Sequence, residues 1–333
     1  MQKIYDIRND YKISMVAGRI AASNGAGTPS SDKIETVLRD FKEVTGIKDL
    51  HYLSQENVSD YYQFLQESGK SNSTLSNKIS YFNEVLSYGG KGEYAKTAKE
   101  LDVSRRTDIW TYKGNDQKDM KIVQEYLKSV NKVEFQGLYH SQKLQETCGL
   151  RMAESGGIKL LEKSVKDIEN GILRIDGRAD LAKNDRNRTI HLDKAGIEAV
   201  LEARAFLKEN KLKDITESKP GKVVAWTAWS WRQVENLKKI GIIDSIKFHN
   251  HGNRHFWANN KYESLWEVKT GVRIEATAKS GLFWREWLSY VEMKTGLTAD
   301  GIKAIDTEIR QEISNELGHE RISITACYLG KKA

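Results

Sequence analysis

Apolar residues recur every three or four positions through most of the first hundred residues. This spacing places them on one face of an α-helix, and it predicts three helices in succession. Ser54 can cap the second helix, and Asn72 or Ser73 can cap the third. The positions expected to face inward are Ile34, Val37, Leu38, Phe41 and Val44, then Val58, Tyr61, Tyr62 and Leu65, then Leu75, Ile79, Phe82 and Leu86. The pattern predicts a small helical domain over residues 33–104, after an N-terminal extension of residues 1–32.

A polar stretch rich in glycine and lysine follows, and it predicts an interdomain linker over residues 105–117. Beyond it, helical spacing resumes, interrupted by two runs typical of β-strands at residues 171–175 and 188–192. The helical positions are Met120, Val123, Tyr126, Leu127 and Val130, then Phe135, Leu138, Leu144 and Cys148, then Ile197, Val200, Leu201 and Leu207, and later residues 283–293 and 299–317. Residues 118–333 are therefore predicted to form a second domain. The expected fold class is mostly α with a small antiparallel β-sheet, that is α+β.

The composition narrows the class of protein. The chain has 333 residues, of which 39% are hydrophobic and 30% charged, as is normal for a soluble globular protein. No uninterrupted apolar run reaches the roughly eighteen residues that a membrane helix needs, and the N-terminus lacks the apolar core of a signal peptide. The two cysteines, Cys148 and Cys327, are too few for a disulfide framework or a cysteine-built zinc site. We therefore expect a cytoplasmic protein.

The net positive charge of the chain comes from residues 101–333, most of which belong to the predicted second domain. Residues 1–100 hold 13 Lys and Arg against 13 Asp and Glu, so residues 101–333, with 40 against 33, carry the whole net charge of +7. An excess of this size suits a polyanionic partner without requiring one.

Two polar motifs frame the predicted strands. Arg151 stands at the predicted start of a helix, with Glu154 three residues later, and Lys183 lies in the turn before the second strand. Each is weak alone, because the first could be a surface pair and the second a solvated lysine.

Two further motifs lie towards the end of the chain. His251 and Arg254 are three residues apart and could share a helix face, and Gly318 would end a helix just before His319. A short apolar segment then leads to Tyr328, which alone reads as a buried tyrosine with a satisfied hydroxyl. A metal site at the histidines 249, 251 and 255 is disfavoured, since no carboxylate or thiolate cluster accompanies them.

Together, and in this order, these motifs resemble the tyrosine recombinase, or phage integrase, family. That family carries an Arg in a Gly-Leu-Arg-x-x-Glu motif, a hairpin Lys, a His-x-x-Arg, a Leu-Gly-His, and a Tyr nine residues later. The matching residues here are Arg151, Lys183, His251, Arg254, His319 and Tyr328. The first predicted domain also looks like the family's core-binding domain, so the resemblance covers most of residues 30–330. It implies a two-domain, C-shaped DNA clamp.

The resemblance implies strand cleavage by transesterification, with Tyr328 as nucleophile and a 3′-phosphotyrosyl intermediate. A tyrosine hydroxyl, with an ordinary pKa near 10, is a weak nucleophile unless neighbours assist it. Two always-charged guanidiniums, Arg151 and Arg254, suit the non-bridging oxygens of a phosphodiester. Lys183 would act as general acid for the 5′ hydroxyl that leaves.

The remaining roles also follow from the resemblance. His251 would serve as general base or phosphate donor, because histidine titrates near neutrality. His319 would donate to the scissile phosphate, and Glu154 would support the site. No cofactor or metal is required.

The partners implied are double-stranded DNA recombination sites and, on them, a homo-tetramer that exchanges strands through a Holliday junction. An accessory DNA-bending protein is possible, and no membrane is involved. The protein would integrate or excise a mobile genetic element in a bacterial or phage setting, associated with the nucleoid. Further DNA contacts are expected from Ser73, Thr74 and Lys78, at a helix start suited to phosphate, and from Arg186.

The chain departs from the family in two places. Arg254 and His319 are 65 residues apart, further than is usual, so an insertion is expected at about residues 258–300. Its tryptophans could cover the site, contact DNA or dock a neighbour, or they could simply enlarge the core. Only five residues follow Tyr328, which puts exchange of a C-terminal helix between protomers in doubt.

Two alternatives stay open. A type IB topoisomerase or telomere resolvase would share the chemistry, and a catalytically silent DNA-binding regulator would share the fold. The complete six-residue set disfavours the regulator.

Overall fold

The computed structural model describes residues 5–25, 28–103, 112–180, 182, 185–225, 232–233, 235–236, 239, 248–319 and 321–330, with residues 28 and 29 described in backbone only. The chain forms two compact units that divide between Thr107 and Asp108. None of the described helices is long and apolar enough to cross a membrane. Most of the tryptophan-rich stretch that begins at Trp226 lies outside the described residues.

The first unit is a bundle of four helices, α1 (Asp10–Ser23), α2 (Thr28–Thr45), α3 (Gln55–Glu67) and α4 (Asn72–Tyr88). The three predicted helices are confirmed, and their inward positions form the core, where the rings of Phe41, Tyr61 and Phe82 pack together. Ser54 caps α3 as predicted. The prediction for α4 was wrong by one or two residues. Ser71 is its cap and accepts a hydrogen bond from the Thr74 amide.

Helix α1 was not predicted from the sequence. It lies in the segment expected to be an N-terminal extension, yet it packs along α2. Its apolar side chains Ile13, Val16 and Ile20 are buried in the same core as the other helices. Their three- and four-residue spacing is typical of a helix. The prediction missed it because small residues follow directly at positions 21–31, as in a flexible connection.

The second unit is mostly helical and carries two small antiparallel sheets, which confirms the predicted fold class. Its elements, in chain order, are α5 (Gln117–Ser129), α6 (Val133–Cys148), α7 (Met152–Gly157), α8 (Val165–Glu169), β1 (Ile172–Ile175), β2 (Arg188–His191), α9 (Lys194–Glu209), β3 (Glu217–Lys219), β4 (Lys222–Val223), α10 (Asn250–Thr270), α11 (Trp284–Thr295), α12 (Ala299–Glu316) and α13 (Ala326–Leu329). Strands β1 and β2 pair from Ile172 with His191 to Ile175 with Arg188. Strands β3 and β4 form a separate hairpin.

Helix α6 is the centre of this unit, because α5, α7, α9 and α10 all pack against it. Its buried face includes Leu138, Leu144 and Cys148. The helix ends at Gly149, and the chain then turns directly into α7. The position of α6 therefore fixes where α7 begins.

The segment predicted as an insertion continues α10 and then forms α11. Trp266 and Trp287 are fully buried, and Trp284 stacks on Trp287 with ring centroids 4.8 Å apart. Lys279 enters this aromatic group, with its Nζ 4.0 Å from the ring centroid of Trp287 and 3.7 Å from Asp306 Oδ1. The described tryptophans of the segment thus enlarge the core of the second unit.

Gly149 has a backbone conformation that side chains disfavour. Its φ is +64°, and an added Cβ would lie 2.5 Å from the ring of Trp257. Left-handed backbone alone costs a residue with a side chain about 1–2 kcal/mol, and overpacking a core adds about 1–3 kcal/mol. Gly149 therefore allows both the turn into α7 and the close approach of α10.

Gly149→Ala is expected to lower the free energy of unfolding by about 2–4 kcal/mol. Gly296→Ala is the matched control, because Gly296 has φ +69° but nothing within 4 Å of an added Cβ. The control should cost only about 1–2 kcal/mol. Urea denaturation of both variants measures the difference, and equal losses would contradict the role given to the Trp257 contact.

Candidate active site

Four elements bring most of the predicted catalytic side chains to one place. Arg151 directly precedes α7, and His251 and Arg254 lie in the first two turns of α10. His319 follows the end of α12, and Tyr328 lies in the one-turn helix α13.

Tyr328 is docked among cationic and aromatic side chains of its own chain. The Nε of Arg254 donates a hydrogen bond to the Tyr328 hydroxyl at 3.2 Å, and His251 Nε2 lies 3.5 Å from that oxygen. The ring of His255 packs on the tyrosine ring with centroids 4.6 Å apart. Tyr328 is 3% exposed. Its hydroxyl oxygen thus faces both a cation that can stabilise a phenolate and a nitrogen that can receive a proton.

The two predicted phosphate-binding arginines meet at His319. The Nη2 atoms of Arg151 and Arg254 lie 3.4 Å and 3.5 Å from His319 Nε2. Both also donate to the carbonyl oxygen of Leu317, at 3.3 Å and 2.6 Å. Burial lowers the pKa of Arg254 to about 10, so the guanidinium stays charged at neutral pH. The side chains of Arg151, Arg254 and His319 therefore lie together, and such a group of nitrogen donors suits an anionic ligand.

Glu154 forms ion pairs with three guanidiniums. Its carboxylate oxygens lie 2.6 Å from Arg151, 2.7 Å from Arg188 and 3.7 Å from Arg254. Burial acts to raise the pKa of Glu154, but Arg188, Arg254 and Arg151 outweigh it and hold the pKa at about 2. The carboxylate is ionised at neutral pH and orients the arginines.

Arg188 was not predicted as part of this site. It begins β2, its Nε donates to the carbonyl oxygen of Glu316 at 2.8 Å, and its guanidinium pairs with Glu154. The available signal was strand alternation. Arg188 lies on the same buried face as Ile190, and a buried arginine requires an acceptor.

The histidines beside Tyr328 are neutral at physiological pH. Burial, with smaller contributions from His251, His249, Lys113 and Arg254, lowers the pKa of His255 to about 3. The pKa of His251 is lowered to about 4, first by burial and then by Arg254. His251 keeps an exposed edge, which argues for a smaller shift than at His255. A neutral His251 can accept a proton from the tyrosine.

No group of three or more histidine, cysteine, aspartate or glutamate side chains that could hold a metal occurs in the described part of the chain.

Sequence comparison alone places the chain in no known group. No family model matches it, and no curated protein matches it.

Structural comparison finds solved structures with a similar fold over nearly the whole length of this chain. The integrase of the transposon Tn1549, in complex with transposon right end DNA, matches with a TM-score of 0.55 and 12% identity over 96% of this chain and 95% of that chain. The XerH site-specific recombinase bound to difH substrate, in a pre-cleavage complex, matches with a TM-score of 0.56 and 16% identity over 96% and 80%. A lambda integrase dimer bound to a COC′ core site matches with 0.54 and 13% over 97% and 95%.

This chain has the tyrosine recombinase fold.

Five of the six positions that match the tyrosine recombinase motifs lie together in the structure, and these are Arg151, His251, Arg254, His319 and Tyr328. The sixth, Lys183, lies outside the described residues. The residue before it, Ala182, is described. The Ala182 amide donates to the carbonyl oxygen of Gly177 at 2.8 Å, within the connection between β1 and β2.

The residues expected to contact DNA differ in their position and in their partners within the chain. Ser73 and Thr74 lie in the first turn of α4. Lys78 is partly buried and forms an ion pair with Asp40, so its charge is already compensated within the first unit. Arg186 lines a cavity of about 390 Å³ together with His319, which places it beside the candidate active site.

His255→Phe is expected to reduce the acid sensitivity of the fold. The unfolded chain binds this proton near pH 6.5, but the folded chain does so only near the pKa of about 3. The unfolded state therefore binds more protons below pH 6.5, and stability falls as the pH decreases. Between about pH 7.5 and pH 5, the wild type should lose about 2 kcal/mol more unfolding free energy than the variant.

Urea denaturation at the two pH values measures this difference. His51→Phe is the control, since His51 is exposed in the first unit. Between the two pH values, the unfolding free energy of this variant should fall by as much as that of the wild type. An equal loss in His255→Phe would contradict the assignment.

Proposed function

We propose that this protein is a site-specific DNA recombinase or integrase that cleaves and rejoins strands through a 3′-phosphotyrosyl intermediate. The observation that carries the proposal is the hydroxyl of Tyr328, 3.2 Å from Arg254 Nε, in a site where Arg151 and His319 converge. A protein that only bound DNA would have no need to place a tyrosine hydroxyl against a buried guanidinium. The DNA-bound recombinases and integrases with the same fold support the same reading.

The chemistry is a transesterification at phosphorus. The Tyr328 oxygen attacks the scissile phosphodiester and forms a P–O bond while the bond to the 5′ oxygen breaks. The phenol proton passes to His251, and Lys183 protonates the departing 5′ oxygen, which leaves as a hydroxyl. Religation reverses these steps with the 5′ hydroxyl of another strand, so bond energy is conserved and no nucleotide is consumed.

The arginines stabilise the charge that develops during attack. Arg151 and Arg254 would bind the non-bridging oxygens, with His319 as a further donor. The incoming phosphate brings negative charge next to His251, which favours its protonation as the phenol proton leaves. Glu154 holds Arg151 and Arg254 in place, and Arg188 pairs with Glu154 in turn.

The structural matches also support a proposal for the DNA partner and the oligomeric state of this protein. A lambda integrase tetramer bound to a Holliday junction matches this chain with a TM-score of 0.51 and 14% identity over 81% of this chain and 72% of that chain. We infer that this protein also acts as a homo-tetramer on double-stranded recombination sites, exchanges strands through a Holliday junction, and integrates or excises a mobile element. Ser73, Thr74 and Arg186 are the proposed additional DNA contacts.

Tyr328→Phe is expected to abolish covalent attachment to DNA while leaving binding intact, because only the attacking oxygen is lost. DNA fragments from the flanks of its own gene, nicked near candidate sites so that the short fragment with the free 5′ hydroxyl escapes, trap the adduct for detection on denaturing gels. Tyr126→Phe, on α5, is the control and should form adduct like the wild type.

An adduct with Tyr328→Phe would overturn the assignment of the nucleophile. Wild-type protein that relaxes supercoiled plasmid without any site requirement would favour a topoisomerase over a recombinase.

The nucleophile is expected to act on the phosphate bound by its own chain, because Tyr328 contacts Arg254 of the same chain. Mixing Arg254→Ala with Tyr328→Phe should therefore give less than about 5% of wild-type cleavage, since each active site lacks one essential group. Attack in trans would instead restore activity in mixed assemblies, because one Tyr328→Phe site could use its neighbour's tyrosine. Adduct yield at equal total protein measures the outcome.

A further inference from the structure

The short helix that carries Tyr328 cannot hold itself in place. Helix α13 has four residues, and a helix of this length has no independent stability in water. Its last carbonyl groups also have no partners within the helix. The position of the tyrosine must therefore depend on contacts from other elements.

Two buried side chains supply those contacts. Asn259 Nδ2 donates to the carbonyl oxygen of Tyr328 at 3.2 Å. Arg310 Nη2 donates to the carbonyl oxygen of Leu329 at 3.1 Å, and its Nη1 donates to that of Gly330 at 2.8 Å. Three consecutive carbonyls, beginning at the nucleophile, are thus fixed by side chains of α10 and α12.

Arg310 is held rigidly for this task. It is fully buried on α12, and its Nε donates to Asp306 Oδ2 at 2.7 Å. The other oxygen of Asp306 accepts the Tyr262 hydroxyl at 2.5 Å and faces Lys279 at 3.7 Å. Burial acts to raise the pKa of Asp306, but Lys279 and Arg310 hold it below its usual value. The carboxylate is therefore charged and keeps the guanidinium aimed at the tail.

We propose that Arg310 is a positioning residue for the reaction, which holds the tail that carries Tyr328 in register with Arg254. This rests on the proposed function, because it concerns the same nucleophile. Arg310 reaches neither the hydroxyl of Tyr328 nor the phosphate-binding groups. It acts through the backbone carbonyls that follow the tyrosine.

Because Arg310 positions the tail, its loss should affect the rate of cleavage more than the rate of religation. Before cleavage, a loosened tail must find its docked position, so loss of Arg310 raises the barrier. After cleavage, the phosphotyrosyl bond itself holds the tail near the site. Arg310→Met should therefore slow cleavage by about 100-fold, while religation stays within about threefold of wild type.

The experiment uses the full chain and single-turnover kinetics at saturating DNA. Cleavage is followed on the nicked substrate, and religation by adding a 5′-hydroxyl strand to adduct that has already formed. Arg204→Met is the matched control, because Arg204 is also buried and donates to two backbone carbonyls, those of Leu160 and Lys163, away from the site. The control should cleave within about threefold of wild type.

Removing Arg310 leaves a buried carboxylate without its main partner, which can prevent folding. The double variant Asp306→Asn/Arg310→Met removes both charges, and its amide oxygen can still accept from Tyr262. It should fold and show the same selective loss of cleavage. Arg310→Lys keeps the charge beside Asp306 but can reach fewer carbonyls, so it should fall between wild type and Arg310→Met.

Two results would overturn the proposal. One is cleavage by a folded Arg310 variant at the rate of Arg204→Met. The other is an equal loss of cleavage and religation, which indicates general damage to the site rather than a mispositioned nucleophile.

Hydrogen exchange separates this proposal from the function on which it rests. If the wild type forms no adduct with DNA, the proposed function fails, but the tail contact can still be measured. Amides of residues 326–330 should exchange at least about tenfold faster in Arg310→Met than in Arg204→Met, because local opening is no longer resisted. Unchanged exchange would contradict the positioning role independently of catalysis.

Discussion

The candidate site depends on one guanidinium that is completely shielded from water. Removing a charge from water costs several kcal/mol unless hydrogen bonds and opposite charge compensate for it. Arg254 is 0% exposed and donates to the carbonyl oxygens of Gly149 and Leu317 and to the hydroxyl of Tyr328. These acceptors come from the end of α6, the end of α12 and the tail. Keeping the charge satisfied therefore requires the elements of the active site to assemble together.

Arginines bind the carbonyl groups at the ends of two helices in this region. Carbonyl groups at a helix C-terminus lack partners and carry partial negative charge, so they attract cations. Arg151 and Arg254 use Leu317 in this way, Arg188 uses Glu316, and Arg310 uses the residues after Tyr328. Each arginine joins a backbone carbonyl to a carboxylate or another functional group. Local chain geometry and site electrostatics are therefore set by the same contacts.

Hydrophobic periodicity and motif order together predicted helices α2 to α6, α9, α11 and α12, the β1–β2 hairpin and the group formed by Arg151, His251 and Tyr328. They did not predict Arg188 or Arg310, because a charged residue inside a periodic segment looks like a solvated one until its partner is known. That partner lies far away in sequence, as Glu154 does for Arg188. Helix α1 was missed for a different reason, since its short apolar series precedes a run of small residues typical of a flexible connection.

Burial and the charge balance of the site together keep its histidines neutral without DNA. Arg151, Arg188 and Arg254 surround one buried carboxylate, Glu154, so the site holds more positive than negative charge. Burial lowers the pKa of His251 most, and Arg254 lowers it too, because a proton on His251 would add to that excess. A phosphodiester reduces this excess, because its negative charge partly compensates the guanidiniums and stabilises a protonated histidine. Under the proposed function, the substrate itself therefore prepares His251 to receive the tyrosine proton, so proton transfer is favoured only when DNA is in place.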